Sequence, residues 1–145
     1  VTDDMVANGY RAMDVMCLPT KGEGSGLPLI EAQACGTPIV TTNASTGPEL
    51  LKGGWLIDVG EYEWEYSNKT WRAYVGVEHI LEALEKSYEA WKDGSIKEIG
   101  ERASAVIRTI YDWDFIFDTY WKPILSAIGE LKGGAYAVCD SQKRQ

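Results

Sequence analysis

Glu23 and Glu31 bracket a stretch that reads KGEGSGLPLIEAQACGTPIV over residues 21–40. Carboxylates accept hydrogen bonds from adjacent hydroxyls, the arrangement that sugars and ribose present. Gly22, Gly24 and Gly26 have a matching use, because backbone without a Cβ lets N–H groups come close to a ligand. Pro28 suits the first position of a helix, which would place Glu31 in its first turn, and the positive end of such a helix favours an anion such as a diphosphate. The stretch is not one of the familiar phosphate loops. Leu27 stands where G-x-G-x-x-G needs its last glycine, and no G-K-[ST] is present.

The surrounding pattern predicts an α/β fold. Residues 15–19 form a short apolar run without alternation, the mark of a strand buried on both faces of a parallel sheet, and residues 38–42 and 55–59 repeat it. Between the first two runs, about two helical turns begin at Pro28 and stop at Gly36. Ligands of open α/β sheets bind beyond the carboxyl ends of the strands, and the loop after Pro19 is such an end.

Upstream, Thr2 with Asp3 and Asp4 predicts a capped helix whose apolar face is Met5, Val6, Tyr10 and Met13. Downstream, helical spacing returns in Val77, Ile80, Leu81, Leu84, Tyr88 and Trp91, and again in Ile96, Ile99, Ala103, Val106 and Ile110. Asp112 caps a further helix, which Pro123 should kink. Residues 60–76 fit neither period and read as a long loop or an excursion from the sheet, with Tyr and Trp that suit an interface or pin the loop down. The tail, residues 132–145, is expected to fray. About three strands are few for a parallel sheet covered on both faces, so an upstream portion is expected to be missing.

Composition narrows the partners. A formal charge of -8 repels nucleic acid and anionic lipid, and no basic run offsets it locally. Cys17, Cys35 and Cys139 lack C-x-x-C spacing, which suits a reducing cytosol; with His79 they show no metal-ligand spacing, so no metal is expected. No apolar run nears the roughly 20 residues of a membrane span, and the expected location is cytoplasmic, at most peripheral to a membrane in a complete enzyme. His79 reads as a surface or capping residue, Lys21 as a solvated lysine, and Glu49 as either a neighbour of the nucleotide or a residue favouring a helix N-terminus.

The run from Glu23 to Glu31 resembles the E-x7-E signature of retaining GT-B-fold glycosyltransferases, a family that includes sucrose synthases, glycogen synthases and bacterial mannosyltransferases. Its flanks are similar too: DVMCLPT to the preceding strand, EAQACGTPIV to the helix and next strand, TGPEL to the following turn, and YDWDFIFDTY to the closing tryptophan-bearing helix. The resemblance implies that residues 1–131 are the C-terminal portion of a GT-B fold, a partial Rossmann-like donor-binding domain with about three parallel strands and flanking helices. It further implies a nucleoside diphosphate sugar as donor, an acceptor the residues do not identify, and no cofactor or metal. Glu23 would be the catalytic-site carboxylate on the donor sugar, the backbone of Gly24, Ser25, Gly26 and Leu27 would lie against sugar and diphosphate, and Glu31 would hold the ribose hydroxyls.

The family's acceptor-binding domain and diphosphate-neutralising cations have no counterpart here, so the chain alone is expected to be inactive and to pair with a missing N-terminal half or with itself. A glycosidase using Glu23 and Glu31 is disfavoured, because a phosphate-facing turn has no use in it. A GT-B-fold sugar-nucleotide epimerase and a non-enzymatic sugar-nucleotide-binding or assembly module are the alternatives.

Overall fold

The computed structural model describes residues 2–131, so the expectation for the tail falls outside it. The chain divides into two compact units, Val1–Arg108 and Thr109–Gln145.

The first unit opens with α1 (Asp3–Arg11), whose start is capped as expected: Met5 N donates to Thr2 Oγ1 at 3.4 Å, beside Asp3 and Asp4. Three parallel strands, β1 (Met16–Leu18), β2 (Ile39–Thr42) and β3 (Gly54–Ile57), pair in that order. All four residues of β2 are buried, as a central strand covered on both faces requires. β1 departs from that expectation. Among the described residues it is an edge strand with no partner on its outer side, and Cys17 is exposed.

The connections supply the layers. α2 (Leu27–Ala34) joins β1 to β2, and the short α3 (Gly47–Leu50) leads from β2 to β3. α4 (Val77–Lys92) brings Ala83 onto Val40 and Ile57, with Val15, Trp55, Ile80 and Leu84 packed around them. α5 (Ser95–Ile110) buries Ile96, Gly100, Ala103 and Ile107, and its Ser104 hydroxyl donates to the Ala34 carbonyl at 2.8 Å. The strand crossovers place α2 and α3 at the carboxyl ends of β1 and β2.

Gln33 is fully buried, an unusual place for an amide. Its Nε2 donates to the carbonyls of Leu29 (2.8 Å) and Leu50 (3.1 Å), while Oε1 accepts from the N–H groups of Lys52 (2.7 Å) and Gly53 (3.0 Å). One side chain thus locks α2 to the end of α3 and the start of β3. Next to it, Gly54 has φ +137 and its backbone lies so close to the Ile39 carbonyl that a Cβ would meet it.

Of the two readings for residues 60–76, the excursion from the sheet holds and the long loop does not. The segment forms an antiparallel hairpin, β4 (Glu61–Glu65) and β5 (Thr70–Tyr74), separate from the parallel sheet. Trp64 faces Trp71 and Tyr62 faces Ala73 across the pair, so strand alternation puts these four on one side and Glu61, Glu63, Glu65, Thr70, Arg72 and Tyr74 on the other. The alternation separates aromatic from charged residues on strands that are mostly exposed, which is why an apolar-against-polar period did not reveal it.

The second unit contains α6 (Trp113–Ile116), a π-helical turn (Phe117–Trp121) and α7 (Lys122–Leu131). Asp112 caps α6 as expected, its Oδ1 accepting from Phe115 N at 2.9 Å. Pro123 has no N–H for the carbonyl four residues back, and the turn just before it is the wide one. None of residues 109–129 is buried.

Replacing Gln33 with Leu strands the N–H groups of Lys52 and Gly53 and removes the tie between α2 and β3. We expect Gln33→Leu to lower stability by about 2–4 kcal/mol, read from the urea midpoint followed by far-ultraviolet circular dichroism; an unchanged midpoint would show that the network contributes nothing net.

Candidate functional site

Two loops meet at the carboxyl end of the sheet, one after β1 and one after β2. They are clasped by a reciprocal pair of bonds: Glu23 N donates to Ser45 Oγ at 3.3 Å, and the Ser45 hydroxyl donates to Glu23 O at 2.6 Å. Ser45 has φ 55, a left-handed backbone that a non-glycine residue rarely adopts. Thr20 Oγ1 braces the same loop, accepting from Gly22 N at 3.2 Å and donating to Gly22 O at 2.9 Å. Among the described residues, no hydrogen bond or ion pair engages the Glu23 carboxylate.

The helix begins one residue earlier than Pro28. Gly26 is its cap with φ 67, and a Cβ there would come within 2.5 Å of Leu50 Cδ1 and 3.2 Å of Thr46 Oγ1. Only glycine satisfies both demands. The N–H groups of Gly24, Ser25, Gly26 and Leu27 have no partner among the described residues, and Gly26 provides no side-chain cap. Four successive open N–H groups at a helix start form an anion-receiving arrangement. The Thr46 hydroxyl, close to Gly26, is buried without a partner and adds a further donor or acceptor that the sequence reading missed.

Because the helix opens at Leu27, Glu31 lies just past the first turn, not in it. Its Oε2 accepts from the Tyr10 hydroxyl at 2.9 Å. Partial burial, and then the Glu31 carboxylate, push the Tyr10 phenol up to about 12.

A cleft of about 440 Å³ lies beside Glu23 and Gly24, between that loop, Ser45 and the hairpin residues Tyr62, Trp71 and Arg72. Ser25, Gly26, Leu27 and Glu31 are not on its wall. The structure therefore brings Glu23 and Gly24 to the cleft and leaves the ribose candidate Glu31 beside α1. Sequence reasoning missed Ser45 and the hairpin residues, which are remote in the chain and carry no motif.

The hairpin is fastened to the glycine loop through Ala73 N, which donates to Lys21 O at 3.0 Å. Lys21 is exposed, as expected, and its Nζ pairs with Glu63 Oε2 at 3.2 Å and sits 5.4 Å from the Tyr74 ring centroid. Arg72 Nε donates to Glu65 Oε2 at 2.7 Å, and Arg72 with Asn68 holds that carboxyl below the usual carboxylate range. Glu49 is exposed in the first turn of α3. His79 is half-buried, and its Nδ1 has no partner among the described residues. Among the described residues no three His, Cys, Asp or Glu side chains converge, and no helix is long and apolar enough to cross a membrane.

Comparison with known proteins matches residues 1–74 to a family described as Glycosyl transferases group 1. The D-inositol 3-phosphate glycosyltransferase of Streptomyces bingchenggensis (strain BCW-1) is 42% identical over 53 residues, 37% of this chain and 12% of that protein. The protein of the same name from Thermobifida fusca (strain YX) is 34% identical over 96 residues, 59% of this chain and 22% of that protein. That from Rhodococcus opacus (strain B4) is 50% identical over 58 residues, 38% of this chain and 13% of its own length. The chain thus spans between 12% and 22% of the length of these relatives.

The Tyr10–Glu31 bond has a measurable signature. The folded phenol ionises near 12 and the unfolded one near the ordinary 10.0, so the stability contributed by keeping the proton is complete below pH 10 and falls away as pH rises to about 12. We expect Glu31→Gln to lower the Tyr10 value part of the way to 10.0, because burial persists, as read from the ring carbon resonances against pH. An unmoved titration would mean that Glu31 is not held by Tyr10.

Proposed function

The chain belongs to the group 1 glycosyl transferases, and on that premise we propose that it forms the donor-binding part of an enzyme that transfers a sugar from a nucleoside diphosphate sugar with retention of configuration. The observation that carries this reading is the run of open N–H groups from Gly24 to Leu27, set at a helix start directly beside the free carboxylate of Glu23.

Those groups suit the diphosphate. Charge grows on it as the bond from the anomeric carbon to the phosphate oxygen breaks, and fixed N–H donors at a helix end stabilise that charge without reorganising. Glu23 accepts from hydroxyls of the donor sugar, which holds the anomeric carbon next to the diphosphate. Glu31 accepts from the two ribose hydroxyls, and the Tyr10 hydroxyl fixes the orientation of its carboxylate while leaving Oε1 open. An acceptor hydroxyl then attacks from the face that the diphosphate leaves, and its proton passes to the departing phosphate oxygen. The likeness of the Glu23-to-Glu31 run to the E-x7-E signature supports retention.

Two measurements test the reading. Glu31→Ala should weaken binding of nucleoside diphosphates by about 1.5–3 kcal/mol, the worth of hydrogen bonds to a charged acceptor. Glu49→Ala, at an exposed position, should change it far less. Calorimetric titration with a panel of nucleoside diphosphates reads both, and equal losses would remove the ribose assignment. The 145-residue chain by itself should release no nucleoside diphosphate from any donor, since transfer needs the acceptor held against the donor. The unpaired edge of β1 should also drive it to self-associate in light scattering. An active monomer would overturn this view of the chain.

A further inference from the structure

The hairpin is the one wall of the cleft that the donor-binding account does not use. It turns Tyr62 and Trp71 toward solvent, 55% and 62% exposed, at the mouth where Glu23 stands free. Large aromatics kept in water beside a polar cleft need a reason, and the register supplies part of one. Trp71 lies directly opposite Trp64, with ring centroids 5.4 Å apart and planes at 66°, so its indole is braced edge-on rather than loose.

The charges say what kind of ligand fits. Both cations near the cleft are already matched, Lys21 by Glu63 and Arg72 by Glu65, and the Glu23 carboxylate is unmatched. The local balance is negative, which turns away a phosphate and suits a neutral group rich in hydroxyls. A volume of about 440 Å³ is enough for a small ligand.

We propose that the β4–β5 hairpin is a sugar-recognition wall, in which Trp71, backed by Trp64, stacks on the apolar face of a neutral pyranose ring whose hydroxyls meet Glu23. This rests on the glycosyltransferase reading above and extends it, by assigning the sugar contact to a segment outside the glycine loop. The ring comes either from the donor or from the acceptor, and the two sources bind differently: one arrives attached to a diphosphate, the other does not.

The test is calorimetric titration of the purified protein with UDP, GDP, UDP-glucose, GDP-mannose and the methyl glycosides of glucose and mannose. Four forms are compared: the parent, Trp71→Ala, Trp71→Phe, and Tyr66→Ala at the exposed hairpin tip, off the cleft wall. Trp71→Ala should weaken a sugar nucleotide by about tenfold and leave its bare nucleotide unchanged, if the ring is the donor's. It should weaken a methyl glycoside and spare the sugar nucleotide if the ring is the acceptor's. Trp71→Phe should recover most of the loss, which a collapsed hairpin would not allow, and Tyr66→Ala should match the parent. Sugar ligands that bind the parent and Trp71→Ala equally would overturn the hairpin proposal while leaving the nucleotide reading intact. Failure of every nucleotide to bind the parent would overturn that reading instead; the glycosides would then decide the hairpin alone, Trp71-dependent binding supporting it and absence of binding ending it.

Discussion

The carboxamide of Gln33 joins three stretches of chain: the middle of α2, the end of α3 and the two residues that lead into β3. A fully buried amide is tolerated only when its donors and acceptors all find partners, and here each side-chain atom has two. That tie places α2 together with the bonds that Ser104 and Arg108 donate to the Ala34 carbonyl. With α2 fixed, Gly26 is held against Leu50 and Thr46, the four N–H groups from Gly24 to Leu27 are left without partners among the described residues, and the Glu23–Ser45 clasp can close. With β3 fixed, Gly54 can press against the Ile39 carbonyl and keep the sheet tight.

Much of this was legible from residue order. The three parallel strands, the helix between the first two, and the caps at Thr2 and Asp112 all appeared near the expected positions, because apolar runs, capping oxygens and glycines act locally. Gln33 was not legible. A glutamine on a helix reads as a surface residue, and only the arrival of Leu50, Lys52 and Gly53 makes it an interior one. The same reasoning covers Ser45 and Arg72, which join Glu23 only after β2 and the hairpin are in place. Tyr10 as the partner of Glu31 was hidden for a different reason: α1 and α2 touch sideways, and neither helix's own period reports the contact.

The hairpin shows how a two-residue period can be present and still escape notice. Its two sides differ in chemistry, aromatic against charged, far more than in burial, and only Ala73 of its residues is buried. The Lys21–Glu63 pair on its charged side is exposed and the Arg72–Glu65 pair only partly buried, and pairs of the exposed kind contribute little to stability. The backbone bond from Ala73 to Lys21 and the Trp64–Trp71 contact are therefore the stronger reasons for its position.

The short turn between β4 and β5 has a consequence for the order in which the molecule assembles. Pairing across that turn joins residues that are near neighbours in the chain, whereas β1 and β2 can pair only after the whole of α2 has been folded between them. Closing a small loop is entropically cheap and fast, and parallel pairing is slow. Loop-closure entropy thus favours pairing of the aromatic strands ahead of the meeting of the Glu23 loop with Ser45, so the part of the cleft that holds the carboxylate carries the larger ordering cost.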